Sequence, residues 1–298
     1  MKGEKVVLIE DVVTTGKSVI EAARKLEESG LVVSQIIAVF SRSECRNLMY
    51  GSVPIESLYH ISQLSERKYN LTEIIQEKKT NICLAADVMY MSELRALVEA
   101  VGKYICVLKV HSDIIVDFHK NYEENRKYLN ASKKLHNFRI WEDRKFADIG
   151  HVMHRQVHTS ISEWADIISV HPVAGGKSLD EIKDIDIILI GEMSSDGHLM
   201  SMQYQSDVLD IARKSKNVIG IVCQHEMDCT NAQGNRLLHV VPGISLRRTS
   251  DGAGQTYSSP SERGFADIYV VGRGIYESDD PVSSVKKYID RATKPTKT

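Results

Sequence analysis

The chain has 298 residues, 42% of them hydrophobic and 26% charged, with a formal net charge of -2. The composition is typical of a globular protein, and the length allows one barrel-sized domain plus something smaller, or two ordinary domains. Because the charge is nearly balanced, the sequence excludes a protein that holds nucleic acid through a general positive field. No apolar run approaches the ~20 residues of a membrane span, so we expect no membrane partner.

The five cysteines are an odd number and are widely spaced. No Cys-x-x-Cys pair occurs, which predicts reduced thiols, no metal site and a cytoplasmic location. The apolar run Val6–Ile9 is too short for a signal peptide and leads directly into acidic residues.

The first pattern in chain order is a strand, an acidic pair, a turn of small residues and an amphipathic helix. The strand is predicted at Val6–Ile9, and the apolar positions of the helix run from Val19 to Leu31. Backbone N–H groups at a helix N-terminus suit a phosphate, and the acids suit sugar hydroxyls or a magnesium ion. A capped turn without a ligand explains the same spacing. The residues of interest are Glu10, Asp11, Thr14, Thr15, Gly16 and Ser18.

This pattern resembles the diphosphoribosyl-binding motif of type I phosphoribosyltransferases, specifically the orotate phosphoribosyltransferases. The resemblance implies that Glu10 and Asp11 face ribose hydroxyls and that Thr14–Ser18 holds a 5′-phosphate. The upstream strands, the orotate-binding segment and the mobile loop of that family have no counterpart here. Further strands, predicted at Ile36–Phe40 and Ile55–Tyr59, give only part of a doubly wound sheet, with an uncovered face. We therefore expect weak binding of the diphosphate sugar, or none.

The pattern changes near residue 64, and we place a domain boundary between residues 66 and 67. After a helix predicted at Leu71–Lys78, eight β-like runs alternate with helical patterns, which predicts a (β/α)8 TIM barrel. The runs are Ile82–Asp87, Tyr104–Lys109, Phe138–Asp143, Trp164–Val170, Ile185–Glu192, Val218–Val222, Leu238–Val241 and Ile268–Val271. The helical patterns are Met91–Val101, Phe118–His136, Gln156–Trp164, Ser206–Ser215 and Pro281–Arg291.

Charged residues lie at the ends of these runs, where such barrels carry their catalytic groups. The third run leads into a D-x-K-x-x-D spacing formed by Asp143, Lys145 and Asp148. Buried charges are costly unless they neutralise one another or a ligand, so a buried cluster with this spacing would be a reactive site. A charged surface turn explains the same residues equally well.

The loops after the last runs combine glycines with a single arginine. Gln255, Tyr257 and the turn Gly272–Gly274 that contains Arg273 offer backbone donors and a forked cation. This combination suits a phosphate dianion, although a solvated surface arginine is the alternative.

Six blocks between about Thr80 and Tyr276 resemble the orotidine 5′-monophosphate decarboxylases. They are Asn81–Asp87, Ile105–Ile114, Asp143–Gly150, Glu192–Ser195, Asp251–Tyr257 and Val271–Gly274. With the N-terminal pattern, the whole chain resembles a bifunctional UMP synthase of animals that is truncated at its N-terminus.

The resemblance implies a homodimer that converts orotidine 5′-monophosphate to UMP in pyrimidine biosynthesis, without a cofactor. Lys109, Asp143, Lys145 and Asp148 would form the charge array, with Lys145 as proton donor and Asp148 acting in the partner's site. The substrate-binding residues would be Asp87, His111, Ser194, Gln255, Tyr257, Gly272 and Arg273.

The sequence departs from that family just after Asp148. His151 and Val152 stand where the family usually has asparagine and threonine. Valine cannot donate a hydrogen bond, and the loss of one such bond is worth about 0.5–1.5 kcal/mol, so we expect a weaker enzyme rather than an inactive one.

Three other functions explain parts of the sequence. A bifunctional synthase would also transfer phosphoribosyl to orotate. A non-catalytic barrel would bind a phosphate sugar without turnover, and a different phosphate-handling barrel enzyme would place its charged array elsewhere.

Overall fold

The computed structural model describes residues 3–41, 48–60, 70–228, 230–246, 249–250, 252 and 254–292. The chain divides into two compact units, Met1–Asn70 and Leu71–Thr298. The predicted boundary between residues 66 and 67 lies outside the described residues. In the part of the chain that the structure describes, no helix has the length and apolar content that crossing a membrane requires.

In its described residues, the N-terminal unit is a four-stranded sheet with one helix. Its elements are β1 (Lys5–Val13), α1 (Lys17–Glu28), β2 (Val32–Ser41), β3 (Met49–Tyr50) and β4 (Val53–His60). The strand order is β1-β2-β4-β3, with parallel pairing except between β3 and β4. Helix α1 buries Val19 and Ala23, whereas Val7 and Ile9 are 48% and 70% exposed. Among the described residues of this unit, apolar side chains of the sheet are therefore exposed, as an uncovered face would require.

The end of β1 differs from the prediction. We expected the strand to end before the acidic pair, but β1 continues through Glu10 and Asp11 to Val13. The alternating burial pattern of the strand continues through both acids, so strand pairing with β2 outweighs the low strand propensity of acidic residues.

The second unit is a closed barrel of eight parallel strands, which confirms the predicted fold. Strand β14 pairs with β5 and closes the ring, in the order β10-β11-β14-β5-β6-β7-β8-β9. The strands are β5 (Ile82–Ala85), β6 (Val107–Val110), β7 (Arg139–Phe146), β8 (Ile167–Val170), β9 (Asp186–Ile190), β10 (Val218–Val222), β11 (Leu238–Val241) and β14 (Ile268–Val271). The short strands β12 (Thr249–Ser250) and β13 (Thr256–Tyr257) pair above the ring.

Helices surround this barrel, and most lie where the periodicity predicts them. They are α2 (Leu71–Lys78), α3 (Met91–Val101), α4 (Tyr122–His136), α5 (Gly150–His158), α6 (Met202–Lys214), α7 (Arg273–Tyr276) and α8 (Pro281–Ala292). The helix predicted at Gln156–Trp164 was wrong in position. Helix α5 begins at Gly150 because Met153 and Val157, four residues apart, form its buried face.

Apolar side chains fill the barrel in two layers. One cluster lies inside the ring and includes Cys83, Trp141, Ile188 and Val240, and the larger cluster lies between the strands and the helices. Leu71 and Ile74 of α2 belong to the inner cluster, so this helix closes one end of the barrel. A barrel filled with side chains is a solid core, and its chemistry must therefore occur at the rim.

Candidate active site

A cavity of about 640 Å³ lies at the carboxyl ends of the barrel strands. Ten of the eleven residues that the sequence assigns to catalysis or substrate binding line it, and Asp148 is the exception. The ten are Asp87, Lys109, His111, Asp143, Lys145, Ser194, Gln255, Tyr257, Gly272 and Arg273.

A bulge in β7 positions the central charges of this cavity. Glu142 pairs with Ile168 and Phe146 pairs with Val170, so three residues of β7 lie opposite the single residue Ser169 of β8. Within the bulge, Lys145 has φ 56°, a left-handed conformation that is uncommon outside glycine. Bulges redirect side chains, and here both Asp143 and Lys145 face the cavity.

Asp143 is the centre of the charge array. Its Oδ2 atom lies 2.8 Å from Lys145 Nζ, 3.2 Å from Lys109 Nζ and 3.4 Å from His111 Nε2. Asp87 Oδ1 accepts a second bond from Lys109 Nζ at 3.1 Å. The side chains of Asp143 and Lys109 are only 8% and 6% exposed, so this central ion pair is shielded from water.

The neighbouring charges keep both buried groups ionised. Burial alone acts to raise the pKa of Asp143, but Lys109, His111 and Lys145 outweigh it and hold that pKa well below its usual range. Burial likewise acts to lower the pKa of Lys109, but Asp143 and Asp87 outweigh it and raise that pKa. At neutral pH the cavity therefore presents fixed positive charge held by a buried carboxylate.

The opposite side of the cavity carries the predicted phosphate residues. The guanidinium of Arg273 donates to the Tyr257 hydroxyl and lies 5.3 Å from the centre of the Tyr257 ring. Tyr257 in turn donates to Gln255 Oε1 at 3.0 Å, and Gln255 Nε2 donates to Ser194 Oγ at 2.9 Å. These four side chains form one continuous hydrogen-bonded row along the cavity wall.

Backbone contacts join the loops that carry this row. Ser195 forms an isolated antiparallel bridge with Gln255, and Asp196 N donates to Gly254 O at 2.8 Å. At the base of the first loop the buried Glu192 accepts from Gln224 N at 2.8 Å and contacts His225 Nδ1 at 3.1 Å. The loops after β9 and β10 and the segment that leads into β13 are thus held together.

Asp148 lies apart from the array in its own chain. It is half-buried, and its Oδ1 atom accepts from Ile149 N at 2.7 Å. Ile149 is 63% exposed, His151 is exposed and Val152 is half-buried at the first turn of α5.

The predicted phosphoribosyl residues form a strand, turn and helix in the N-terminal unit. Gly16 has φ 76° and precedes α1, while Thr14, Thr15 and Ser18 are exposed. Glu10 and Asp11 lie on β1, and Asp11 Oδ1 accepts from Val12 N at 2.7 Å.

Two buried residues next to the array were missed by the sequence analysis. Ser169 is fully buried and bonds both Asp143 and Lys145. Its only signal is that it is the one polar residue in the apolar strand β8. Glu142 is also fully buried, and burial raises its pKa to about 7 although bonds from Ser112 act to lower it. Glu142 lies outside the D-x-K-x-x-D spacing, and nothing in the sequence marked it as a buried acid.

One group of side chains among the described residues has the spacing of metal ligands. Ligand atoms of His111, Asp113 and Glu142 lie within 4.8 Å of one another, a donor set that suits zinc. Asp113 is exposed, His111 already faces Asp143, and Glu142 Oε2 already accepts from Ser112 N at 3.0 Å.

Known proteins resemble this chain over most of its length. A sequence model of the orotidine 5′-phosphate decarboxylase/HUMPS family matches residues 80–288. The orotidine 5′-phosphate decarboxylase of Pichia kudriavzevii is 34% identical over 245 residues, which are 77% of this chain and 91% of that protein. The uridine 5′-monophosphate synthase of Bos taurus is 30% identical over an aligned length of 359 positions, which covers 96% of this chain and 73% of that protein.

A solved structure supports the fold. The orotidine 5′-monophosphate decarboxylase of Methanocaldococcus jannaschii, solved with the inhibitor BMP, superposes with a TM-score of 0.55 at 24% identity. The match covers 72% of this chain and 99% of that one, in agreement with the barrel described above. From the family match and these relatives, the chain belongs to the orotidine 5′-phosphate decarboxylase/HUMPS family.

Proposed function

We propose that the chain is an orotidine 5′-monophosphate decarboxylase that forms UMP without a cofactor. The observation that carries this proposal is the buried carboxylate of Asp143 with Lys109 and Lys145 within 3.2 Å of it, on the wall of a nucleotide-sized cavity. The family membership and the names of the relatives support the choice of substrate.

The array suits the chemistry of this reaction. When the bond between C6 of the pyrimidine and its carboxylate breaks, the electron pair stays on C6 because the ring offers no electron sink. Fixed positive charge beside C6 stabilises the developing anion, and it needs no reorganisation because it is already in place. Lys145, 25% exposed and 2.8 Å from Asp143, supplies that charge and then gives a proton from Nζ to C6.

The other end of the substrate uses the hydrogen-bonded row. Arg273 and the backbone around Gly272 face the phosphate, Gln255 and Tyr257 complete that contact, and Ser194 meets the pyrimidine. Asp87, Lys109 and His111 face the ribose. Phosphate binding far from C6 then contributes energy for alignment at the reacting carbon.

The test of this proposal is the variant Lys145→Ala. We expect no measurable release of CO2, while UMP binding and the unfolding midpoint stay close to those of the wild type. Lys133→Ala is the matched control, because Lys133 also pairs with a carboxylate, Asp166 at 2.8 Å, but lies on α4 outside the cavity. Turnover that survives in Lys145→Ala would refute the mechanism.

We further propose a homodimer in which Asp148 enters the partner's site. The supporting observations are that Asp148 does not line the cavity of its own chain and that the adjacent Ile149 is exposed. Mixing inactive Lys145→Ala and Asp148→Asn chains should restore about a quarter of wild-type activity, because half of the random dimers then hold one intact site. If the mixture stays inactive while the chains exchange, Asp148 does not act across an interface.

A second activity, phosphoribosyl transfer to orotate, is favoured by the strand–turn–helix at Glu10–Ser18 and by the similarity to a uridine 5′-monophosphate synthase. We expect no transfer, because apolar side chains of that sheet remain exposed. An assay with orotate and phosphoribosyl diphosphate separates the two functions: formation of orotidine 5′-monophosphate or UMP from orotate would show a bifunctional enzyme. A non-catalytic barrel would instead bind UMP without releasing CO2 from the substrate.

The cytoplasmic location stays a prediction.

A further inference from the structure

Strand β8 contributes one polar side chain to the environment of the charge array. Ser169 is 0% exposed, between the apolar residues Ile168 and Val170. A buried hydroxyl is costly unless it is bonded, and this one is bonded twice. Its Oγ atom donates to Asp143 Oδ1 at 2.7 Å and accepts from Lys145 N at 3.1 Å.

The bond to Asp143 leaves the two oxygens of that carboxylate with different partners. Oδ2 faces the ammonium groups of Lys109 and Lys145 and the imidazole of His111, while Ser169 holds Oδ1. Because the two oxygens are fixed on opposite sides of the carboxylate, the hydroxyl determines the rotation of Asp143 and thereby the point at which both lysines meet.

The second bond compensates for the bulge in β7. The paired positions on either side are Glu142–Ile168 and Phe146–Val170, so the residues between them have lost the regular ladder. A buried backbone N–H that loses its ladder partner must find another acceptor. For Lys145, held at φ 56°, that acceptor is the Ser169 hydroxyl.

We propose that Ser169 is a positioning residue for decarboxylation: its single hydroxyl fixes the carboxylate of Asp143 and the backbone of Lys145 relative to each other. The inference rests on the proposed function, since it assumes that Lys145 delivers the proton to C6. Ser169 does not line the cavity, so it acts only through these two residues.

The experiment compares Ser169→Thr with Ser169→Val. These two side chains have nearly the same shape, but only threonine keeps the hydroxyl. A hydrogen bond to a charged group is worth about 1.5–3 kcal/mol, which corresponds to roughly a ten- to hundredfold change in rate. We therefore expect kcat of the valine variant to be ten- to a hundredfold below that of the threonine variant, while the affinities of both for UMP agree within about twofold.

Two controls separate positioning from general damage. Ser215→Ala removes another buried hydroxyl, which bonds Ile211 O at 2.8 Å at the end of α6, and should leave kcat unchanged. Should the added methyl group disturb folding, Ser169→Cys and Ser169→Ala give the same comparison with a weak donor and with none.

The outcomes are distinct. If the wild type releases CO2 and the threonine and valine variants have equal kcat, or if UMP affinity falls together with kcat, Ser169 has only a structural role and the inference is overturned. If the wild type itself releases no CO2 from orotidine 5′-monophosphate, the proposed function fails instead.

Discussion

Replacing Asp143 by asparagine tests how far one buried carboxylate stabilises the barrel. At the 3.2 Å separation from Lys109, the attraction between unit charges is about 5 kcal/mol at an effective dielectric constant of ~20. Desolvation offsets part of this, but removing one partner leaves the other charge buried and uncompensated, at a cost of about 3–5 kcal/mol. Asp87 remains as a partner of Lys109, so we expect the lower end of that range.

Tryptophan fluorescence during urea unfolding gives the measurement. The chain has two tryptophans, and both Trp141 and Trp164 lie in the barrel unit and are at most 2% exposed. Asp210→Asn is the control, because Asp210 pairs with Arg213 at 2.7 Å on an exposed helix face and its loss should not move the midpoint. If the two variants unfold at the same urea concentration, the array does not stabilise the fold as argued.

The pH dependence of this difference follows from the two pKa directions. The pKa of Asp143 is lowered by folding, so its contribution is complete above the ordinary carboxyl value of about 4 and is lost as pH falls through the folded pKa. The pKa of Lys109 is raised, so its contribution is complete below about 10.5 and is lost as pH rises through its folded value. The difference in unfolding free energy between the wild type and Asp143→Asn should therefore be constant from about pH 5 to 9 and should shrink below pH 4.

Two further predictions concern other parts of the site. Arg273→Ala should weaken UMP binding roughly ten- to a hundredfold while leaving the weaker binding of uridine unchanged, because the proposed contact of the guanidinium with the ligand is to its phosphate; an equal loss for both ligands in calorimetry would contradict a phosphate contact. Burial raises the pKa of Glu142 to about 7. The unfolding free energy of the wild type should therefore fall as the pH rises above the ordinary pKa of a glutamate. Relative to Glu142→Gln, the wild type should lose up to about 3 kcal/mol of unfolding free energy between pH 4.5 and pH 8; parallel stabilities in urea at the two pH values would show that this carboxyl does not titrate there.

The barrel strands could be predicted because parallel strands buried on both faces appear as short apolar runs. Ile82–Ala85 and Ile268–Val271 are such runs, and the charged or glycine-rich residues after them mark the rim. The end of β1 could not be predicted in this way. The acidic pair Glu10–Asp11 suggested that the strand ends at Ile9, but pairing with β2 extends it through both acids. Propensity is a weak signal where an adjacent strand supplies the hydrogen bonds.

The candidate site could be predicted as a set of residues but not as a geometry. Spacing and family resemblance pointed to Asp143 and Lys145, and residues two apart on a strand share a face. Neither signal reveals the bulge that gives Lys145 its left-handed backbone and its bond to Ser169. The acids Glu142 and Asp143 are adjacent in sequence and only the strand places them on opposite faces, one buried near Ser112 and one in the cavity. Ser169 gave no chemical signal, since its partners lie on another strand.

Helix α2 has a consequence for how such a barrel can be fused to other proteins. Leu71 and Ile74 belong to the inner core, and Lys78 Nζ at the other end of the helix donates to the carbonyls of Gly102 at 3.0 Å and His136 at 2.6 Å. Helix α2, the first element after the division between the two units, is thus itself the floor of the barrel. Recombination before Leu71 can exchange the neighbouring unit without opening that floor, whereas a junction a few residues later would remove it. The point at which a gene can be joined is therefore set by packing inside the barrel, not by the length of a linker.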